Sequence, residues 1–168
     1  IEAARDITIR KRLSSAGRPF RDIKVAIAKS VESVEGAVVG EILVSGSIVM
    51  KGYWRNSKAT GEAFQDGWLK TGDVGYIDDD GYLYLCDRVK DMIISGGLNI
   101  YSREIEDVLM EHAAVEEVAV LGLPSPEWGE EVVAVVKCKN NYSVAPGELT
   151  DLCGSRMARF KIPKRYIF

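Results

Sequence analysis

Short apolar runs separated by turn residues dominate the sequence, and this pattern predicts a chain rich in strands. In some runs apolar positions alternate with polar or small ones, which is the period of a strand with one buried face. Other runs are continuously apolar but too short to be anything except buried strands. The predicted strands cover residues 23–27, 41–45, 82–86, 93–94, 98–100, 118–123, 132–136 and 165–168.

Apolar residues at helical spacing predict two helices in the second half of the chain. Ser102 is the expected N-cap of the first, because Glu104 and Glu106 follow in the first turn, where the helix dipole favours negative charge. Pro146 is expected to open the second helix. With the strands, these helices give the order β-β-α-β-β-α-β from about residue 89 onward, which predicts a small α/β domain.

Clusters of turn residues predict tight connections between the strands. Two-residue turn sequences occur at Asp66-Gly67 and Gly96-Gly97. Residues 78–81, three aspartates and a glycine, resemble the start of a calcium loop, but the twelfth position, which must be an acid, is Val89. A hairpin turn is the better interpretation, and no metal site is predicted.

Composition limits the class of protein without identifying a function. The chain has 168 residues, of which 46% are apolar and 28% are charged, which suits one ordinary domain or two small ones. A formal charge of −3 and the lack of a Lys/Arg cluster give no reason to expect a nucleic acid partner. The sequence contains neither an apolar run long enough for a transmembrane segment nor the basic and apolar regions of a signal peptide.

The cysteines and the chain ends add two expectations. The three cysteines form no CxxC pair, so we predict small buried residues in a reducing cytoplasm, without disulfides or zinc. The chain begins at Ile1 and ends at Phe168 in an apolar, strand-like run, and we therefore expect a piece of a longer enzyme. Residues 1–18 are basic and polar, and we expect poor order where their partner segment is absent.

One part of the sequence carries polar groups that suit a nucleotide. Asp73 places a carboxylate beside a glycine, Arg88 and Lys90 follow in alternate positions, and a glycine pair comes next. Ribose hydroxyls need acceptors, and phosphates need cations and N–H groups. The residues alone leave a simpler interpretation open, in which Asp73 is a turn residue, Arg88 a weak ion-pair partner and Lys90 a solvated charge.

Two longer motifs make the sequence resemble a known family. Residues 67–73 read GWLKTGD, and residues 87–106 read DRVKDMIISGGLNIYSREIE. Both resemble the late core motifs of AMP-forming acyl-CoA synthetases, which belong to the adenylating superfamily with firefly luciferase and peptide-synthetase adenylation domains. The resemblance extends from about Gly17 to the last residue, and within it residues 93–100 resemble acyl- and aryl-CoA ligases more than peptide synthetases.

The resemblance implies a mixed α+β fold in two parts. Residues 1–87 would be the C-terminal end of a large N-terminal domain and would form a small, distorted β-barrel-like subdomain. Residues 88–168 would be a compact, mobile C-terminal α/β domain with a three-stranded sheet and flanking helices, truncated before the catalytic lysine of the family.

The same resemblance implies roles for individual residues. Asp73 and Arg88 would bind the ribose of ATP or AMP, and Lys90 would be the hinge on which the C-terminal domain pivots between the two half-reactions. A hinge residue needs freedom of φ and ψ more than it needs a charge.

A second group of residues would bind CoA. Gly96 and Gly97 would line the channel for its pantetheine arm, because a Cβ there would narrow the channel. Trp128 would lie near the CoA nucleotide, whereas the simpler alternative is that it covers the sheet. Phe160 and Lys164 suit an adenine and its phosphates by stacking and point charge, although a helix end with solvated lysines stays open.

The implied reaction has two steps. A carboxylic acid reacts with ATP to give an acyl-adenylate, and the thiol of CoA then displaces AMP. ATP, Mg²⁺ and CoA are therefore expected for the intact enzyme, none of them tightly bound, and the partner would be the missing N-terminal part with its phosphate loop and acyl pocket. No catalytic residue is expected within the chain, since the catalytic lysine would follow Phe168, so the chain should be inactive alone. The open alternatives are a non-catalytic module that binds CoA or a carrier protein, and an adenylate-forming ligase with another acceptor.

Overall fold

A computed structural model describes residues 9, 11–28, 32–34 and 36–168. The chain divides into two compact units, Ile1–Val89 and Lys90–Phe168. This boundary lies two residues after the one taken from the sequence, which falls before Arg88, the last residue of the sixth strand. The expectation of poor order falls partly on residues 1–8 and 10, which lie outside the described residues.

The first unit is a curled sheet that forms half of a barrel, which confirms the barrel-like subdomain. Two long strands, β3 and β5, pair with each other, β3 also pairs with β1 and β2, and β5 also pairs with β4 and β6, all antiparallel. Register shifts interrupt both long strands, and such bulges bend and twist a sheet. The elements are β1 (Ile23–Ile27), β2 (Glu32–Val34), β3 (Ala37–Gly46), α1 (Ser57–Ala63), β4 (Phe64–Gln65), β5 (Trp68–Ile77) and β6 (Leu83–Arg88).

The predicted hairpin turns of this unit are confirmed. Asp66 and Gly67 have φ angles of 50° and 82°, so they form the two positive-φ positions of a type I′ turn between β4 and β5. The Asp78 carboxylate accepts a hydrogen bond of 2.8 Å from the Tyr82 backbone N–H, and Gly81 N–H donates to the Asp78 carbonyl. The aspartate run therefore holds the β5–β6 turn through its first carboxylate.

The second unit has the predicted order of strands and helices. Its elements are β7 (Ile93–Ser95), β8 (Leu98–Ile100), α2 (Ser102–Met110), β9 (Val115–Ser125), β10 (Gly129–Cys138), α3 (Pro146–Arg156), a 3₁₀ turn (Arg159–Lys161) and β11 (Arg165–Ile167). Ser102 is the first helical residue and Tyr101 the N-cap, one residue before the predicted position.

The sheet of this unit has five strands, so the expectation of three was wrong. Strands β9, β10 and β11 are adjacent, with β11 parallel to β10, and the hairpin β7–β8 extends the sheet. The hairpin joins β10 through the pair of Ser95 with Gly129. Neither residue belongs to an apolar run, so the hydrophobic pattern carried no sign of this attachment.

A buried core lies between this sheet and the two helices. Its most enclosed side chains include Ile93, Ile100, Ile105, Leu109, Val132, Leu149 and Cys153. Burial raises the pKa of the Cys153 thiol and raises the pKa of Tyr166 to about 12, while the Thr150 hydroxyl donates to the Tyr166 oxygen at 3.4 Å. Both groups therefore stay neutral at physiological pH.

Candidate nucleotide and acceptor site

Asp73 and Arg88 lie directly opposite each other on two adjacent strands of the first unit. They are register partners in the β5–β6 pair, and the Arg88 Nε lies 3.3 Å from the Asp73 Oδ1. Their side chains are 41% and 55% exposed, so both remain accessible to a ligand. The two residues that the sequence assigned to one ribose are therefore brought together as a carboxylate and a guanidinium.

The part of strand β5 that precedes Asp73 is held in place by a threonine. The Thr71 hydroxyl donates to the Ile42 carbonyl at 2.9 Å and accepts the Asp73 N–H at 3.1 Å. One side chain thus ties the Asp73 backbone to strand β3, which explains why a threonine suits this position.

Gly72 makes two further hydrogen bonds that fix this segment, one through its N–H and one through its carbonyl. Its N–H donates to the Glu41 Oε1 at 3.2 Å, and its carbonyl accepts the Val89 N–H at 2.9 Å. Its φ of 77° lies in the left-handed region, where glycine is the least strained residue. The peptide next to Asp73 is therefore fixed from β3 on one side and from the end of β6 on the other.

The sequence analysis missed the contribution of Glu41. It placed this residue at the start of a strand and gave it no role. A carboxylate within a largely apolar strand was the available signal, because a half-buried charge needs hydrogen-bond donors.

Lys90 is the first residue of the second unit, in the turn between β6 and β7, and it is exposed. The residue before it, Val89, is still hydrogen-bonded to Gly72 of the first unit. The predicted hinge position thus coincides with the boundary between the compact units.

Gly96 and Gly97 form the turn of the β7–β8 hairpin, next to Trp128. Their φ angles of 59° and 80° define a second type I′ turn. The Gly96 N–H donates to the Trp128 carbonyl at 2.8 Å, and a Cβ on Gly96 would lie 3.1 Å from the ring carbon Cε3 of Trp128. A Cβ on Gly97 would meet no atom within 4 Å. Three of the five predicted CoA residues therefore lie together, with Gly97 on the open side.

Phe160 and Lys164 lie on the segment between α3 and β11. Phe160 belongs to the 3₁₀ turn and is 42% exposed, and the Lys164 N–H donates to the Val132 carbonyl at 2.8 Å. Between them, the Lys161 Nζ contacts both Glu104 oxygens at 2.6 and 2.8 Å. This ion pair holds the segment to the first turn of α2.

The described residues offer no protein site for a metal ion, since no three His, Cys, Asp or Glu side chains among them come together. Among the described helices, none is long and apolar enough to cross a membrane.

Comparison with known proteins identifies the type of domain in the second half of the chain. Residues 104–168 match the AMP-binding enzyme C-terminal domain. Over 96% of its length the chain superposes on the o-succinylbenzoate CoA synthetase of Bacillus subtilis in complex with its acyl-adenylate intermediate, with a TM-score of 0.84 and 42% identity. It also superposes on the amide bond synthetase of Marinactinospora thermotolerans, over 95% of its length, with a TM-score of 0.83 and 38% identity.

Sequence relatives extend the match across both units. A long-chain-fatty-acid–CoA ligase of Mycobacterium tuberculosis is 44% identical over 158 residues, which cover 94% of this chain and 31% of the relative. The chain likewise covers 33% of each of the two solved structures named above. The chain therefore belongs to the AMP-forming acyl-CoA synthetase family, and it spans about a third of the length of the relatives it matches.

Proposed function

We propose that this chain supplies an AMP-forming acyl-CoA synthetase with its ribose-binding pair, its hinge and one wall of its CoA channel. In the reaction, a carboxylate oxygen of the acid attacks the α-phosphorus of Mg²⁺-bound ATP and pyrophosphate leaves. The sulfur of CoA then attacks the acyl carbon, the thiol gives up its proton, and AMP leaves. No residue of this chain is assigned a catalytic role in either step.

The observation that carries this proposal is the pairing of Asp73 with Arg88. The two oxygens of a carboxylate can accept hydrogen bonds from the two hydroxyls of a ribose, and a charged acceptor makes each bond worth about 1.5–3 kcal/mol. Arg88 supplies N–H donors beside that carboxylate, which suits the oxygens of the same sugar. The hydrogen bonds that the Gly72 and Asp73 N–H groups donate to Glu41 and Thr71 support the assignment, because they hold this part of β5 in place before a nucleotide binds.

Lys90 is proposed as the pivot of the C-terminal unit. The boundary of the compact units at Val89 and Lys90 supports this role, since a pivot must fall where packing on either side is independent. Its exposure leaves the side chain free to move with the backbone.

Gly96, Gly97 and Trp128 are proposed to border the path of the pantetheine arm. The open space over Gly97 supports this, as does the Trp128 side chain, which is 47% exposed beside the turn. Phe160 and Lys164 are proposed to meet the adenine and the phosphates of CoA.

The cytoplasmic location inferred from the sequence stays a prediction.

A second candidate is an adenylate-forming ligase with an acceptor other than CoA. The observation that favours it is the similarity to an amide bond synthetase, at 38% identity and a TM-score of 0.83. A non-catalytic binding module is the third candidate, and turnover measurements separate it from the first two.

The test uses a chimera in which this chain replaces the matching third of the Bacillus subtilis 2-succinylbenzoate–CoA ligase, which is 44% identical over 156 residues. With 2-succinylbenzoate, ATP, Mg²⁺ and CoA, the chimera should release AMP and form the thioester, whereas the 168-residue chain alone should release no AMP from a panel of acids. An adenylate that reacts with amines and not with CoA would establish the second candidate. A folded chimera without AMP release would overturn the proposal.

A further inference from the structure

The Glu130 carboxylate, to which the sequence analysis gave no role, binds the first strand of the β7–β8 hairpin. We infer that Glu130 is a positioning residue that sets the place of the β7–β8 hairpin. The hairpin has the proposed role of bordering the CoA channel, so the catalytic consequence of this inference rests on the proposed function, whereas the anchoring itself does not.

Three interactions attach the hairpin to the neighbouring strand β10. Ser95 pairs with Gly129, and the Gly96 N–H donates to the Trp128 carbonyl at 2.8 Å, both through the backbone. The third is made by a side chain: the Glu130 Oε2 accepts the Ile94 N–H at 2.7 Å. A bond to an ionised acceptor is roughly twice as strong as one between neutral groups. Glu130 thus supplies a charged contact at the point where β7 meets the sheet.

Strand β9 leaves room for this carboxylate. A Cβ on Gly122 would lie 3.0 Å from both the Cδ and the Oε2 of Glu130, and 2.9 Å from the Cγ2 of Ile93. Ile93 is 1% exposed within the core, so it has no free space into which to retreat. The φ of Gly122 is not among the positive values of this chain, so steric room, and not backbone conformation, accounts for the glycine.

The turn beyond this anchor depends on its position. Ile94 immediately precedes the Ser95–Leu98 pair that closes the hairpin, and Gly96 packs against the Trp128 ring. A shift of β7 at Ile94 would therefore move the open edge at Gly97 relative to Trp128. Rigid placement of this edge, and not contact with a ligand, is the role assigned to Glu130.

The next residue provides a matched control. Glu131 carries the same carboxylate one position along β10, and its Oε1 pairs with the Arg165 Nη2 at 2.8 Å. Its partner Arg165 is the first residue of β11. Removal of the Glu131 carboxylate therefore costs a surface ion pair and leaves the bond between Glu130 and the Ile94 N–H intact.

The first experiment measures hydrogen exchange of single amides by NMR in the 168-residue chain. In Glu130→Ala the Ile94 amide should exchange at least about tenfold faster, because the lost bond involves a charged acceptor. Glu130→Gln, which keeps an acceptor oxygen, should restore part of the protection, and Glu131→Ala should leave it unchanged. Unaltered exchange at Ile94 in Glu130→Ala, or equal acceleration of core amides such as that of Ile105, would overturn the inference.

Gly122→Ala supplies an independent variant that keeps the carboxylate but removes its place. Its methyl group also meets the buried Ile93, so it should accelerate exchange at Ile94 and at core amides, and the further acceleration that Glu130→Ala causes at Ile94 should be smaller in the Gly122→Ala background than in the parent. Full additivity of the two effects would overturn the shared mechanism.

The second experiment places the variants in the chimera with the 2-succinylbenzoate–CoA ligase. Glu130→Ala should raise the KM for CoA severalfold and should change the rate of adenylate formation much less. The KM for CoA of Glu130→Gln should lie between those of Glu130→Ala and the parent chimera. If Ile94 loses protection and the CoA step is unchanged, the anchor stands and the assignment of the hairpin to the CoA channel is wrong.

Discussion

The part of strand β5 that carries Asp73 and the turn at Gly96 and Gly97 both contain a glycine, but in different settings. Gly72 and Gly97 have nearly the same φ, 77° and 80°. Gly72 is bonded through its N–H to Glu41 and through its carbonyl to Val89, within a sheet. Gly97 lies at the tip of a hairpin, and a Cβ built on either glycine would meet no atom within 4 Å, so the hydrogen bonds of Gly72, and not free space, distinguish the two positions.

This difference fits the two chemical tasks proposed for these regions. A carboxylate that must meet two ribose hydroxyls at once gains from a backbone fixed in advance, because less freedom is lost when the ligand binds. A channel wall needs empty space at its edge, and its position is set from a distance, at Ile94 and Trp128. The first region is therefore sensitive to the loss of a polar group, and the second to the addition of bulk.

The largest effect is expected from Asp73→Ala in the chimera. Because the Asp73 side chain is partly exposed, the loss of its bonds to the ribose should cost less than their full value and lower kcat/KM for ATP in adenylate formation by about 10- to 100-fold. Pyrophosphate release measures this step. Asp79→Ala, at the exposed end of the same strand pair, is the matched control and should stay within about twofold of the parent. Equal losses in both variants would remove the ribose assignment.

Lys90→Pro tests the pivot between the two units. Proline fixes φ near −65°, so an arrangement that needs another φ at this position would be strained by about 1–3 kcal/mol. One half-reaction should slow by roughly 5- to 100-fold while the other is kept. Lys90→Ala, which keeps the backbone free, should preserve both rates. Proportional loss of adenylate and thioester formation would show that residue 90 is no pivot.

Gly97→Val is the third test, and the other type I′ turn supplies its control. Gly67 has a φ of 82° and, like Gly97, no atom within 4 Å of a built Cβ. Valine at either position should destabilise the chain by about 1–2 kcal/mol, because positive φ strains a side chain. Thermal unfolding measures that shared cost.

The two valine variants should differ in the chimera. Only Gly97→Val places bulk at the open edge of the turn proposed to border the CoA channel, so only it should slow thioester formation, by about tenfold if the barrier rises by about 1.4 kcal/mol. Its rate of adenylate formation should match that of Gly67→Val. Equal slowing of the thioester step by both variants would mean that stability, and not the channel, is responsible.

The fold was largely predictable from local pattern. Alternating and continuous apolar runs located β1, β6, β9, β10 and part of β3, and Asp66-Gly67 and the run 78–81 located turns, because both depend on neighbours in sequence. The long strand β5 was not among the predicted strands. The five-stranded sheet was not predictable, since one backbone bridge, Ser95 to Gly129, joins the extra hairpin. A backbone bridge places no demand on side-chain type.

Candidate site residues were assigned from the sequence only where a motif is contiguous. Asp73, Arg88, Gly96 and Gly97 came from resemblance to a family, not from spacing. Glu41 and Glu130 each bind a backbone N–H far along the chain, 31 and 36 residues away. Such pairs have no fixed spacing, and an N–H is present on every residue except proline, so only the folded structure reveals them.

The smallest effect is expected from Glu41→Ala. It removes the acceptor of the Gly72 N–H. The hydrogen bonds that the Thr71 hydroxyl and the Val89 N–H make remain, so this part of β5 loses one of several hydrogen bonds. We expect the KM for ATP in the chimera to rise about three- to tenfold, less than a full charged hydrogen bond would give, because the site is partly solvated. Glu41→Gln retains an acceptor oxygen and should recover most of the affinity. If Glu41→Gln raises the KM for ATP as much as Glu41→Ala does, the negative charge of Glu41, and not its hydrogen bond, is what the segment around Asp73 requires.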